Sequence, residues 1–142
     1  MKLYCLVNNY LEGVRAGVQA LHASTKLMSK YEDDSKYGTK CVDMINEWDQ
    51  RHETVVLVYG GDHDDLSWTY NFLDGAEEIP FAKFHEPGMN NALTSVAMLC
   101  STEMVDDMDA YRRKFITDDE MYDKYPELGS VLIRTAMART VQ

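Results

Sequence analysis

With 142 residues, 45% of them hydrophobic, the chain has the length and apolar content of one domain with a buried core, which excludes wholesale disorder. Its 24 Asp and Glu against 14 Lys and Arg give a formal net charge of −10. Non-specific binding to a phosphate backbone is therefore disfavoured, because affinity there comes from basic side chains displacing counterions. No apolar run approaches the ~20 residues that span a bilayer, and no long apolar segment follows the first residues, so no membrane association is expected and the expected location is cytoplasmic.

Residues 2–7 (Lys-Leu-Tyr-Cys-Leu-Val) are apolar on both alternating faces, as an interior strand requires. Residues 8–13 read as a loop. From Val14 the period becomes helical: Val14, Val18, Leu21, Thr25 and Met28 recur at steps of four and three and predict the buried stripe of a first helix. One residue along, Arg15, Gln19, His22, Lys26 and Ser29 form a polar stripe about 100° round the same helix. Residues 32–38 are loop-like. A second helix is predicted from Thr39 as N-cap, burying Val42, Ile45 and Trp48. The β-branched run over residues 54–59 predicts a central strand, broken by Gly60-Gly61.

Asp62 then suits the N-cap of a third helix carrying Leu66, Tyr70 and Leu73 and ended by Gly75. Two further strands follow at residues 79–84 and 93–100. A fourth helix over about 103–115 begins with acids and ends on Arg112, Arg113 and Lys114, as the helix dipole favours. Beyond Phe115 come an acidic, Tyr-containing segment, Pro126, and a last helical pattern through Leu128, Val131, Leu132, Thr135, Ala136 and Arg139. The order β-α-α-β-α-β-β-α predicts an α/β fold over residues 1–115, a single mixed four-stranded sheet covered by helices. Residues 116–142 form a helical C-terminal extension that packs on the domain or on a second copy.

Cys5, Cys41 and Cys100 lie far apart, with no Cys-x-x-Cys pair and no metal-ligand spacing to the four histidines. Buried free thiols are expected, with no metal site and no cofactor. The acidic clusters at residues 32–34, 62–65, 77–78, 106–109 and 118–120 suit solvated faces or helix starts. The one candidate basic patch is Arg15, Lys26 and Lys30, joined by Lys2 or Lys83. His52 and His63 read as surface loop residues, and Trp48, Trp68, Tyr70 and Phe72 as packing.

The stretch His85-Glu86-Pro87-Gly88, leading through Asn90 and Asn91 to Thr94, holds the densest chemistry. It crowds an imidazole, a carboxylate, two amides and a hydroxyl into a turn at a strand end, where a rigid sheet positions groups that meet a ligand. Pro, Gly and Asn there also suit a plain turn.

Two parts of the chain together resemble the type 2 peptidyl-tRNA hydrolase family. The first is Gln19-Ala20-Leu21-His22-Ala23 on the helix after the first strand, matching a Gln-x-x-His-Ala signature. The second is the acid-bearing loop that leads through Thr94 into the last strand. The likeness covers about residues 2–115, in a divergent short-loop branch, and not the extension. It implies hydrolysis of the ester between a peptide and tRNA by an activated water.

By the resemblance, Arg15, Glu86 and Thr94 take the family's Lys, Asp and Thr positions, while a second family Lys has no counterpart in residues 54–59. Arg for Lys keeps the charge but not the ability to lose a proton, and Glu for Asp moves the carboxylate by about 1 Å. Glu86 or His85 would accept the water's proton. Arg15, Asn90 or Asn91 would face the oxyanion, and Thr94 would orient the water or Glu86. Gln19, His22 and Asn9 join as substrate-binding candidates, with peptidyl-tRNA as partner. Two other readings stay open: a non-catalytic binder of a small molecule such as a nucleotide or peptide, and an acidic protein-interaction module. A homodimer is compatible with each of them.

Overall fold

The computed structural model describes residues 1–32, 34–76 and 79–141. Along the chain run β1 (Lys2–Asn8), α1 (Gly13–Lys30), α2 (Asp34–Tyr37), α3 (Thr39–Arg51), β2 (Val55–Gly61), α4 (His63–Ala76) and β3 (Phe81–Glu86). A 3₁₀ turn at Pro87–Met89 leads into β4 (Ala92–Cys100), followed by α5 (Thr102–Arg112), α6 (Asp118–Lys124) and α7 (Gly129–Met137). The strands make one mixed sheet in the order β2-β1-β4-β3. β1 is parallel to β2 and antiparallel to β4, and β3 is antiparallel to β4. This is the α/β fold expected from the pattern.

Residues 3–7 and 93–100 are buried, as two central strands must be. Cys5 meets Ala20 and Ser24 of α1, while its neighbour Leu6 lies beside Leu66 of α4. Successive strand residues point to opposite faces, so α1 and α4 cover opposite faces of the sheet. The extension closes the core: Met121, Tyr125, Leu128, Val131, Leu132 and Ala136 join the same buried cluster as the strands. The three cysteines are free and buried. Among the described residues no helix is long and apolar enough to cross a membrane.

The first helix turns the other way from expectation. Its buried residues are Ala16, Gln19, Ala20, Ala23 and Leu27, whereas Val14, Val18 and Leu21 are 84%, 43% and 65% exposed. The alanines let the helix lie close on the sheet, and that proximity outweighs the larger transfer energy of valine and leucine.

β2 is an edge strand, not a central one, and Gly60 and Gly61 are its last residues rather than its breaker. A Cβ on Gly60 would lie 2.8 Å from that of Leu6, and Gly61 sits at φ +95°. The end of the chain lines the outer edge of β2: Tyr59 N–H donates to the Arg139 carbonyl, and Val141 N–H to that of Leu57. At the opposite edge, the Tyr31 hydroxyl accepts from Phe81 N–H, and the Lys30 ammonium donates to the Phe81 carbonyl at 3.0 Å.

The other departures are local. Residues 34–37 form a short helix inside the expected loop. Thr39 is helical, with Gly38 before it as the cap, and α3 buries Cys41 and Met44 more deeply than Val42, Ile45 and Trp48. The acidic segment after Phe115 is helix α6, started by a capping box between Thr117 and Glu120. Asp62 does cap α4, through reciprocal bonds with Asp65. The acidic pair at residues 77–78, and Asp33 of the cluster at 32–34, lie outside the described residues.

Candidate functional site

The end of β1, the end of β3, the start of β4 and the first turns of α1 and α4 meet at one end of the sheet. β3 extends to Glu86, so His85 and Glu86 end a strand rather than open a turn. Across from them, Phe84 pairs with Ser95 and His85 with Leu93, leaving Thr94 as the extra residue of a β-bulge. A bulge turns two consecutive side chains toward one face. Ser95 opposes Val7, two residues on from Cys5, and so faces α1; the bulge brings Thr94 to that face with it.

There Thr94 donates to Gln19 Oε1 at 2.5 Å, and Gln19 Nε2 donates to Glu86 Oε2 at 2.9 Å. The second Glu86 oxygen accepts from Gly88 N–H at 3.1 Å. Gln19 is buried because both ends of its amide are satisfied, which explains a polar residue under the helix. The Gln19 bond first, then the Gly88 bond and nearby His22, hold the Glu86 carboxyl below the usual carboxylate range. His22 lies flat on Phe84, ring centroids 4.4 Å apart. One buried hydroxyl at this place, that of Ser95, has no hydrogen-bond partner among the described residues.

Two histidines use Nδ1 in opposite ways. His85 Nδ1 is 3.0 Å from the Asn91 carbonyl, which can only accept, so Nδ1 carries a proton and donates it there. His63 Nδ1 accepts from Leu93 N–H at 3.3 Å, which puts its proton on Nε2. Asn8 Nδ2 donates to the Leu93 carbonyl, so both polar groups of Leu93 beyond the end of β1 are satisfied by side chains. Asn8, Tyr10, Asp62, His63, Met89 and Thr94 line a cavity of about 280 Å³. Thr94 thus joins the Gln19–Glu86 pair to this cavity.

No protein-family model and no curated protein matches the chain.

Of the residues singled out from sequence, Gln19, His22, Glu86 and Thr94 come together, and His85 sits next to them on β3. Arg15 is exposed, one turn before Gln19 on the same stripe, and forms no ion pair with Glu86. Asn9 stands elsewhere: it clamps β1 to β2 through Gly61 N–H and lines a larger cavity of about 720 Å³ with Glu12, Tyr59 and Arg139. Asn90 and Asn91 are exposed and left-handed, at φ +55° and +59°, which is the backbone role of a tight turn. Asn8 and His63 were not among the candidates, and His63 is a helix-start residue rather than a loop residue. A polar residue ending an apolar strand, and a His beside a helix cap, were the available signals. Among the described residues, no group of three or more His, Cys, Asp or Glu is arranged to hold a metal.

The Gln19 bond gives a pH prediction. Glu86 is depressed when folded, so its bonds contribute stability above the unfolded carboxylate pKa, and this is lost as the pH falls through the folded value. Gln19→Leu is expected to move the Glu86 titration upward, toward the ordinary ~4.3. Carbon-detected NMR of the side-chain carboxyl checks this, and an unchanged midpoint would remove Gln19 as the cause.

Proposed function

We propose that the chain hydrolyses an acyl ester at the Gln19–Glu86–Thr94 cluster, on a substrate of the peptidyl-tRNA kind. The observation that carries this reading is the state of Glu86. Its carboxylate is open to solvent, ionised at neutral pH, and held on both oxygens by N–H donors. Each oxygen keeps a lone pair for a water, so Glu86 takes the water's proton as the water oxygen attacks the acyl carbon, and returns that proton to the departing ester oxygen as the acyl C–O bond breaks. A carboxylate of low basicity gains little from proton transfer alone, so most of its effect comes from orienting the water.

Charge supports the same direction of approach. α1 contains no Asp or Glu and carries Arg15, Lys26 and Lys30, a basic strip in a strongly acidic chain. Arg15, which pairs with no carboxylate among the described residues, is available to a phosphate or to the developing oxyanion. The test is release of N-acetyl amino acid from N-acetyl-aminoacyl-tRNA by the purified chain. Release proportional to protein is expected, and a folded sample no faster than spontaneous hydrolysis would sink the proposal.

A second reading is favoured by the cavity beside Thr94. Asp62 and Asp64 on its wall suit a cationic amine, as at a free peptide N-terminus, bound without turnover. A thermal shift with short peptides that is lost on N-acetylation, in a sample without esterase activity, selects this reading instead.

A further inference from the structure

We propose that two copies of this chain associate through the exposed seam of α1, antiparallel and related by a two-fold axis near Gly17 and Val18. Val14, Val18, Leu21, Thr25 and Met28 follow steps of four, three, four and three, the spacing with which one helix packs along another. A different stripe of α1 faces the sheet, so Val14, Val18, Leu21 and Thr25 are left over by the fold, while Met28 packs partly against the core. Val14, Val18 and Leu21 are 84%, 43% and 65% exposed, and Val55 beside them is 45% exposed. Exposed apolar side chains gathered along one line are the kind of surface that marks interaction sites.

Three observations select a second copy as the occupant. The first is charge. In a chain of net charge −10, α1 holds none of the carboxylates, so two copies meeting along it keep their acidic surfaces away from the contact. The second is shape under the two-fold. Antiparallel pairing about residues 17 and 18 lays Val14 of each copy on Leu21 of the other. A Cβ on Gly17 would meet nothing within 4 Å, so the surface is open for close helix approach at the centre. The same pairing brings the exposed Glu12 within about one helical turn of Lys26 of the second copy.

The third is area. Paired about residues 17 and 18, the two helices overlap over residues 13–22, about 15 Å, and the seam alone falls short of the ~800 Å² per partner of a standard interface. A groove of about 400 Å³ runs beside it, between α1 and β2, lined by Leu21, Met28, Trp48, Val55 and Leu57. Side chains of the second copy filling this groove supply the remaining contact, which points to a dimer that dissociates in the micromolar range rather than an obligate one.

The test is the solution mass across concentration, with Leu21→Glu as the disrupting variant and Phe115→Glu as the control at an exposed apolar site off the seam. The wild-type mass is expected to rise toward twice 16.3 kDa at ~100 µM, to stay at one chain in Leu21→Glu, and to rise as before in Phe115→Glu. Leu21 is largely exposed, so the variant is expected to keep its fold, as its circular dichroism would show. A second readout is Val18→Cys, placed at the axis. The native thiols are buried, so oxidation is expected to give a disulfide-linked dimer through this position. A wild-type chain that remains monomeric overturns the proposal. So does a dimer that survives Leu21→Glu and leaves Val18→Cys uncrosslinked, or a seam that takes up only a foreign helix.

Discussion

Glu86→Gln is expected to lower ester turnover by ~10²-fold, the low end of the range for a general base, because its weak basicity leaves orienting the water as its main contribution. The substitution keeps the side chain's length and one acceptor oxygen, so the Gln19 Nε2 donation can persist. One amide oxygen cannot accept from both Gln19 Nε2 and Gly88 N–H, and the stabilisation tied to the depressed carboxyl goes with the charge, so a modest fall in melting temperature is expected. Lost turnover in a variant that is still folded at the assay temperature therefore assigns the chemistry to the charge of Glu86. Undiminished turnover would take Glu86 out of the mechanism and leave His85, its neighbour on β3, as the next group to test.

Leu132→Ala is expected to be the most damaging single change to stability considered for the extension. Leu132 is fully buried in α7 and belongs to the same core as β1 and β4. Truncating a buried leucine costs ~2–5 kcal/mol, from lost transfer energy plus the cavity left behind. In a chain of this length that corresponds to a fall in melting temperature of roughly 10 °C. Thermal unfolding checks it, and a shift below about 2 °C would show that α7 is dispensable to the core. Arg134 of the same helix donates to Asp65 at 2.9 Å, in the first turn of α4 that also carries His63. Loosening α7 therefore reaches the wall of the cavity beside Thr94.

The strands and most helices were legible because their signals are local. An apolar run without alternation marks β1, and the Asp62–Asp65 cap opens α4 where the residues indicate. The rotation of α1 was not legible, because hydropathy ranks valine and leucine above alanine, while burial here follows how near the helix comes to the sheet. The place of β2 at the sheet edge depends on which strands pair, and its β-branched composition suits either place. At the site, the residue types of Gln19, Glu86 and Thr94 were visible, but not the bulge that turns Thr94 toward Gln19. His63 was missed because its partner, the Leu93 amide, is 30 residues away in the chain.

The two outer strands bear on how this acidic chain behaves when concentrated. Strands at a sheet's rim carry rows of unpaired amides and carbonyls that recruit strands of other molecules and seed fibres. Here residues 139–141 occupy the rim at β2. At β3, Pro80 precedes the strand, Tyr31 and Lys30 take up the polar groups of Phe81, and Lys83 adds a charge. Growth by strand addition has little to start from at either rim. Residues 139–141 thus cover the β2 rim against strand addition, a role unrelated to any ligand the cleft receives.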